Sequence, residues 1–76
     1  MRWEKGKDYV EIASGNSVDG KGAVWHVETS VGLNNLPIEL HNQISKTDEE
    51  GYEKLKQNAS NWAERNEYQL VSSDAA

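Results

Sequence analysis

A run of acidic residues in the second half of the chain is the clearest candidate for binding chemistry. Asp48, Glu49, Glu50 and Glu53 lie close together in the sequence. Carboxylates at this density attract basic groups and repel phosphate backbones, although they also simply keep a protein soluble. We predict that these four residues form a partner-binding surface and that the partner is another protein with a basic surface.

His26 and Glu28 are the second candidates, because two residues that are two positions apart on a strand point to the same face. Such a pair could place an acid beside a base, or it could contribute ligands to a metal site. A zinc site takes three or four protein ligands, whereas His41 is the only other histidine and the chain contains no cysteine. We therefore predict no metal site and no cofactor, and we expect His26 to contact Glu11 across the sheet.

A glycine-rich segment resembles a phosphate-binding loop in spacing only. Residues 15–21 read Gly-x-x-x-x-Gly-Lys, which matches the first seven positions of that motif. The next residue is Gly22 where the motif needs serine or threonine, and a β-branched segment follows where it needs a helix. We interpret the segment as a hairpin tip. The serines show no nucleophile motif either, so we predict no catalytic residues and no enzymatic activity.

The acidic run opens a predicted helix near residues 47–65. Thr47 and Glu50 have the spacing of a capping box, in which each side chain binds the backbone N–H of the other. Asn66 is expected to end the helix in a left-handed conformation. The apolar residues that recur on one face are Tyr52, Leu55, Ala59, Trp62 and Ala63. This face is predicted to pack on the core, which leaves the acidic residues on the opposite side.

Two segments before the helix have the composition of strands. Residues 9–14 and 23–29 are rich in β-branched and aromatic residues, and we predict that they form an antiparallel hairpin. Asp19-Gly20 between them favours a type I′ turn, which needs positive φ at both positions. Residues 68–71 are predicted to return as a final strand, followed by a frayed tail at 72–76.

The segment 33–45 allows two interpretations. Ile38, Leu40 and Ile44 alternate as in a strand, whereas Leu36, Leu40 and Ile44 share one helical face. We favour a short helical or turn-like segment, with Pro37 near its start. The 76 residues are expected to form a single small α+β domain, in which an antiparallel sheet packs against one helix.

The aromatic residues are all tryptophan or tyrosine, the types that are enriched at protein interfaces. Trp62 lies on the apolar face of the predicted helix, and Trp25 alternates with the apolar side of its strand, so both are expected in the core. Trp3 is flanked by charged residues, and an earlier extension of the first strand to Trp3 is only weakly indicated because two lysines and Gly6 intervene. We therefore predict that Trp3 is exposed and that it belongs to the partner-binding surface.

The net charge of −5 lies entirely in residues 27–76. Residues 1–26 hold four basic and four acidic side chains, whereas residues 27–76 hold four basic and nine acidic ones. We predict a non-enzymatic acidic binding module, a small inhibitor or regulator that acts by protein–protein contact. Phage-encoded inhibitors and nucleic-acid mimics share this size and charge.

The alternative is a nucleic-acid-binding module that uses an aromatic and basic hairpin. Its candidate residues are Trp3, Lys5, Lys7, Lys21 and Trp25. We favour it less, because an acidic chain offers no clear basic footprint. No stretch approaches the roughly 20 apolar residues of a membrane-spanning helix, and the absence of cysteine fits a reducing compartment. We therefore expect no membrane partner and a cytoplasmic location.

Overall fold

The computed structural model describes residues 1–17, 19–20 and 22–73, and it has the predicted α+β architecture. Five strands and one α-helix follow in the order β1 (Arg2–Lys5), β2 (Asp8–Asn16), β3 (Ala23–Thr29), β4 (Ile44–Ser45), α1 (Glu49–Arg65) and β5 (Gln69–Ser72). Two 3₁₀ turns, Leu33–Asn35 and Ile38–Leu40, lie between β3 and β4. The predicted class, an antiparallel sheet packed against one main helix, is confirmed.

The sheet is antiparallel, with the strand order β4-β3-β2-β1-β5. The predicted hairpin is confirmed as β2 and β3, which pair from Val10–Thr29 to Asn16–Ala23. A second hairpin joins β1 to β2 through Gly6, whose φ of 61° is in the left-handed region that glycine adopts readily. The first strand of this hairpin was only weakly indicated by the sequence.

The type I′ turn that Asp19-Gly20 favours would also include residues 18 and 21, which lie outside the described residues. Gly20 has a φ of 72°. The Gly20 N–H donates to the Ser17 carbonyl at 3.0 Å, and the Ser17 N–H donates to the Gly22 carbonyl at 2.8 Å. Lys21 lies outside the described residues.

The helix begins one residue later than the predicted capping box requires. Asp48, not Thr47, is the N-cap, and its carboxylate accepts the Gly51 N–H at 2.9 Å. The hydroxyl of Thr47 instead hydrogen-bonds to that of Ser45 at 2.9 Å. A Cβ atom at position 51 would overlap the Asp48 carboxylate, so glycine allows the cap to lie close. A carboxylate cap also interacts favourably with the helix dipole, which a hydroxyl does not.

The helix ends at Arg65 as predicted, but the left-handed residue that follows it is shifted by one position. Asn66 has a φ of −101°, so the predicted left-handed cap at Asn66 is wrong, and Glu67 takes that conformation with a φ of 63°. The Asn66 side chain donates to the Trp62 carbonyl at 2.8 Å, and the Tyr68 N–H donates to the Ala63 carbonyl at 2.8 Å. These bonds satisfy carbonyls that the last turn would otherwise leave unpaired.

The final strand is confirmed with shifted bounds. Ser72, which was assigned to the frayed tail, pairs with Arg2 of β1 instead. The reason is that β1 extends the sheet far enough to bind one more residue than the apolar pattern indicated. Residues 74–76 of the predicted tail lie outside the described residues.

The core lies between α1 and one face of the sheet. Its buried cluster comprises Trp3, Val10, Ile12, Val27, Leu36, Leu40, Leu55, Ala59 and Ala63. Ala59 and Ala63 are fully buried, and their small side chains let the helix approach the strands closely. The predicted helix stripe is therefore confirmed, with Tyr52 and Trp62 half-buried at its margins.

The segment 33–45 combines the two interpretations. The 3₁₀ turns bury Leu36 and Leu40, as the favoured turn-like alternative predicted, whereas Ile38 is 79% exposed. Only Ile44 and Ser45 form a strand, which pairs with Val24 and Trp25 of β3. Within the described part of the chain, no helix is long and apolar enough to cross a membrane.

Candidate functional site

The candidate site is the acidic helix edge, which we define as Asp48, Glu49, Glu50 and Glu53. All four residues are exposed, and they lie at the cap or in the first turns of α1. A shallow, open depression of about 440 Å³ lies here and is lined by Glu49, Glu50, Glu53 and Lys54. The structure thus brings the predicted acidic residues together on one rigid element.

The four carboxylates are not equivalent. The Asp48 carboxylate accepts a hydrogen bond from the Gly51 N–H, so it stabilises the start of the helix. Glu53 binds the Lys56 ammonium at 2.8 Å, and this hydrogen bond raises the pKa of Lys56. Neither Glu49 nor Glu50 has an ion-pair partner among the described residues. The charge that is available to a partner is therefore concentrated on Glu49 and Glu50.

Trp3 does not belong to this surface. It is only 2% exposed, because β1 lies between β2 and β5 and directs Trp3 into the core. The prediction of an exposed Trp3 is therefore wrong. The sequence did contain a signal, since Trp3 lies between the charged residues Arg2 and Glu4 as an inward-facing strand residue does. That signal was weak because β1 is short and is followed by Lys5, Gly6 and Lys7.

Three described residues of the nucleic-acid alternative, Trp3, Trp25 and Lys5, already make contacts within the fold. With Trp3 buried, Trp25 is the other aromatic candidate, and its ring is stacked on Tyr52 with centroids 4.8 Å apart. The Lys46 ammonium lies 4.5 Å from the Trp25 ring. Lys5 donates to the Asn66 carbonyl at 2.9 Å. The Trp25 ring therefore already contacts Tyr52 and Lys46 within the fold, and Lys21 lies outside the described residues.

A charged cluster on the outer face of the sheet, the face away from α1, was not found from the sequence. The Arg2 guanidinium binds Glu4 at 2.7 Å, approaches Glu11 at 3.6 Å and lies 4.1 Å from the centre of the Tyr9 ring. The hydrogen bond that Arg2 donates to the Glu4 carboxylate is the main cause that raises the pKa of Arg2. Arg2 lies opposite Glu11 in the β1–β2 ladder, and the spacing of the two residues in the sequence does not reveal this pairing.

His26 also lies on the outer face, but it does not contact Glu11 as predicted. Glu11 pairs with Glu28, whereas His26 lies opposite Ala13 and its Nε2 is 3.1 Å from the Glu28 carboxylate. The ring covers Gly15, where a Cβ atom would come within 2.8 Å of it. Because Gly15 has no side chain, the imidazole ring of His26 can lie against its backbone. The described residues contain no group of three or more side chains that could hold a metal ion.

Comparison with known proteins gives no further information on the site. The chain matches no protein-family model, and the searches of curated proteins and of solved structures give no match.

Proposed function

We propose that this protein is a non-enzymatic acidic binding module, a cytoplasmic inhibitor or regulator that acts by protein–protein contact through the acidic helix edge. The observation that carries the proposal is the pair Glu49 and Glu50, two exposed carboxylates without ion-pair partners among the described residues. Acidic residues in a first turn also stabilise the helix through its dipole. The same two residues can therefore serve stability and binding together.

The backbone that carries these carboxylates is held in place before any partner binds. Asp48 caps the helix, and the Tyr52 ring stacks on Trp25 of β3 at 4.8 Å. A surface that is already ordered loses less conformational entropy on binding than a flexible loop does. This rigidity supports the acidic helix edge as a binding surface over an acidic tail of the same charge.

The chemistry of the surface favours a partner with lysine and arginine side chains. Opposite charges steer the encounter of two proteins, and salt screens this attraction within about 10 Å at 0.1 M. Binding should therefore weaken as ionic strength rises. Exposed ion pairs contribute little affinity individually. The partner must therefore make further contacts, for which the carboxylates orient it.

The test compares two double variants with the same change in net charge. Glu49→Lys with Glu53→Lys alters the acidic helix edge, whereas Glu28→Lys with Glu64→Lys alters exposed residues elsewhere. Binding to a panel of lysine- and arginine-rich peptides is measured by fluorescence anisotropy at low and moderate salt. We expect the first variant to lose binding and most of the salt dependence, and the second to retain both. Equal loss in the two variants contradicts the proposal.

A gel-shift titration with DNA and RNA separates this proposal from the nucleic-acid alternative. The acidic protein should not retard either nucleic acid at physiological salt, because it neutralises too few phosphates. If the wild-type protein does retard them, and Lys5→Glu with Lys7→Glu abolishes the shift, the proposed function is wrong.

A further inference from the structure

The outer edge of β5 is an open strand edge with apolar side chains. β5 is the terminal strand and pairs with β1 alone among the described strands. All four of its residues are exposed, and Leu70 and Val71 are 51% and 52% exposed. A terminal strand presents backbone N–H and C=O groups that can pair with another strand. The edge therefore has both the polar and the apolar groups of an interface.

The two edges of the sheet differ in how they are protected. β4 at the opposite edge has only two residues and is followed at once by Lys46, and both features discourage pairing with another chain. β5 contains no charged residue and no proline. Its one irregularity is a register shift opposite Arg2 and Trp3, on the side that pairs with β1. The outer edge of β5 thus lacks the usual charged protection.

We propose that β5 pairs antiparallel with β5 of a second copy of this chain, which joins the two sheets edge to edge. Antiparallel pairing of identical edges needs a two-fold axis perpendicular to the sheet, so both copies keep their helices on the same side. A register centred on Leu70 brings the two Leu70 side chains together on that side, since Leu70 pairs with the inward-facing Trp3. In this register Glu67 lies opposite Ser73, so no like charges meet along the strand.

The size and charge of the surface set the strength of this dimer. A four-residue edge is short compared with the roughly 1,000 Å² that a specific interface buries, so association is weak and reversible. Each copy also carries a net charge of −5, which opposes association at low salt. The dimer should therefore strengthen with salt, whereas contact with a basic partner through the acidic helix edge weakens. The two proposals can fail independently.

Sedimentation equilibrium of the full chain from micromolar to millimolar concentration tests the dimer. We expect a monomer–dimer equilibrium that shifts toward dimer at higher salt. Leu70→Lys should give a monomer throughout, because an edge charge would face its own copy. Leu33→Lys is the matched control, since Leu33 is 43% exposed in the first 3₁₀ turn, and it should behave as wild type. A wild type that stays monomeric at millimolar concentration, or forms larger open assemblies, overturns the proposal.

A crosslinking experiment decides the case even if Leu70→Lys disturbs the fold. The chain has no cysteine, so one introduced cysteine reports on a single position. Directly opposite strand residues have Cβ atoms close enough for a disulfide after a small adjustment. Under mild oxidation Leu70→Cys should form a covalent dimer much faster than Leu33→Cys. Equal rates for the two variants overturn the proposal.

Discussion

The two faces of the sheet are built from the same strands but are held together by different forces. On the inner face, Trp3 and Val10 are nearly or fully inaccessible and pack under α1. On the outer face, Arg2 gathers Glu4 and Glu11 around the Tyr9 ring, with all the charged groups still partly exposed. Alternation along one strand is enough to divide the residues between the two environments.

This difference determines how each face responds to change. Removing apolar surface from water stabilises the inner face in proportion to the area buried, largely independently of salt. Exposed ion pairs contribute little and are screened by salt. We therefore expect substitutions on the inner face to have large effects, those at the helix start to have intermediate effects, and those on the outer face to have small, salt-dependent effects.

The largest effect is expected for Trp3→Ala. Truncating a buried tryptophan typically costs about 3–5 kcal/mol, a large fraction of the total stability of about 5–15 kcal/mol expected for a protein domain. Urea denaturation followed by circular dichroism should show a strongly lowered midpoint or an unfolded chain. The conservative variant Trp3→Phe should retain more stability. A loss below about 1 kcal/mol for Trp3→Ala would show that this ring does not anchor the inner face.

An intermediate effect is expected for Asp48→Ala, which removes the cap of the helix that covers the inner face. Loss of an N-cap side chain costs about 1 kcal/mol, because it leaves the Gly51 N–H without its partner. Thr47→Ala is the control, since Thr47 contacts Ser45 rather than the helix. Thermal unfolding should separate the two variants. If Thr47→Ala is the more damaging, the helix starts where the capping box predicted.

The smallest effect is expected for Arg2→Gln on the outer face. The variant removes the ion pairs with Glu4 and Glu11 but leaves the packing of Trp3 in place. The melting temperature should fall slightly at low salt, and the difference from wild type should shrink as salt screens the lost attraction. A loss as large as that of Trp3→Ala, unchanged by salt, would remove the distinction between the two faces.

The apolar pattern of the chain was sufficient to predict the helix and the main hairpin. Leu55, Ala59 and Ala63 share one face because an α-helix repeats every 3.6 residues, and this periodicity does not depend on the neighbouring elements. The segments at 9–14 and 23–29 form strands with bounds close to those expected. The acidic helix edge could also be located, since the side opposite a buried face must be exposed.

The positions of the helix caps depend on competition between neighbouring residues. Thr47 and Asp48 can each cap a helix, and Asn66 and Glu67 compete for the left-handed position in the same way. Hydrogen bonds to specific backbone groups decide such cases, and these bonds exist only once the chain is folded. This is why the N-cap and the left-handed residue after the helix were each displaced by one position from the prediction.

The sequence by itself determined the α+β class, the core face of the helix and the acidic charge that the helix presents. All of these follow from local periodicity and composition, which act over a few residues. The tertiary structure alone decided that Trp3 is buried, that Glu11 faces Glu28 rather than His26, and that β5 lies at an edge of the sheet formed by the described strands. These facts depend on strand order and register, which are set by contacts between residues far apart in the chain.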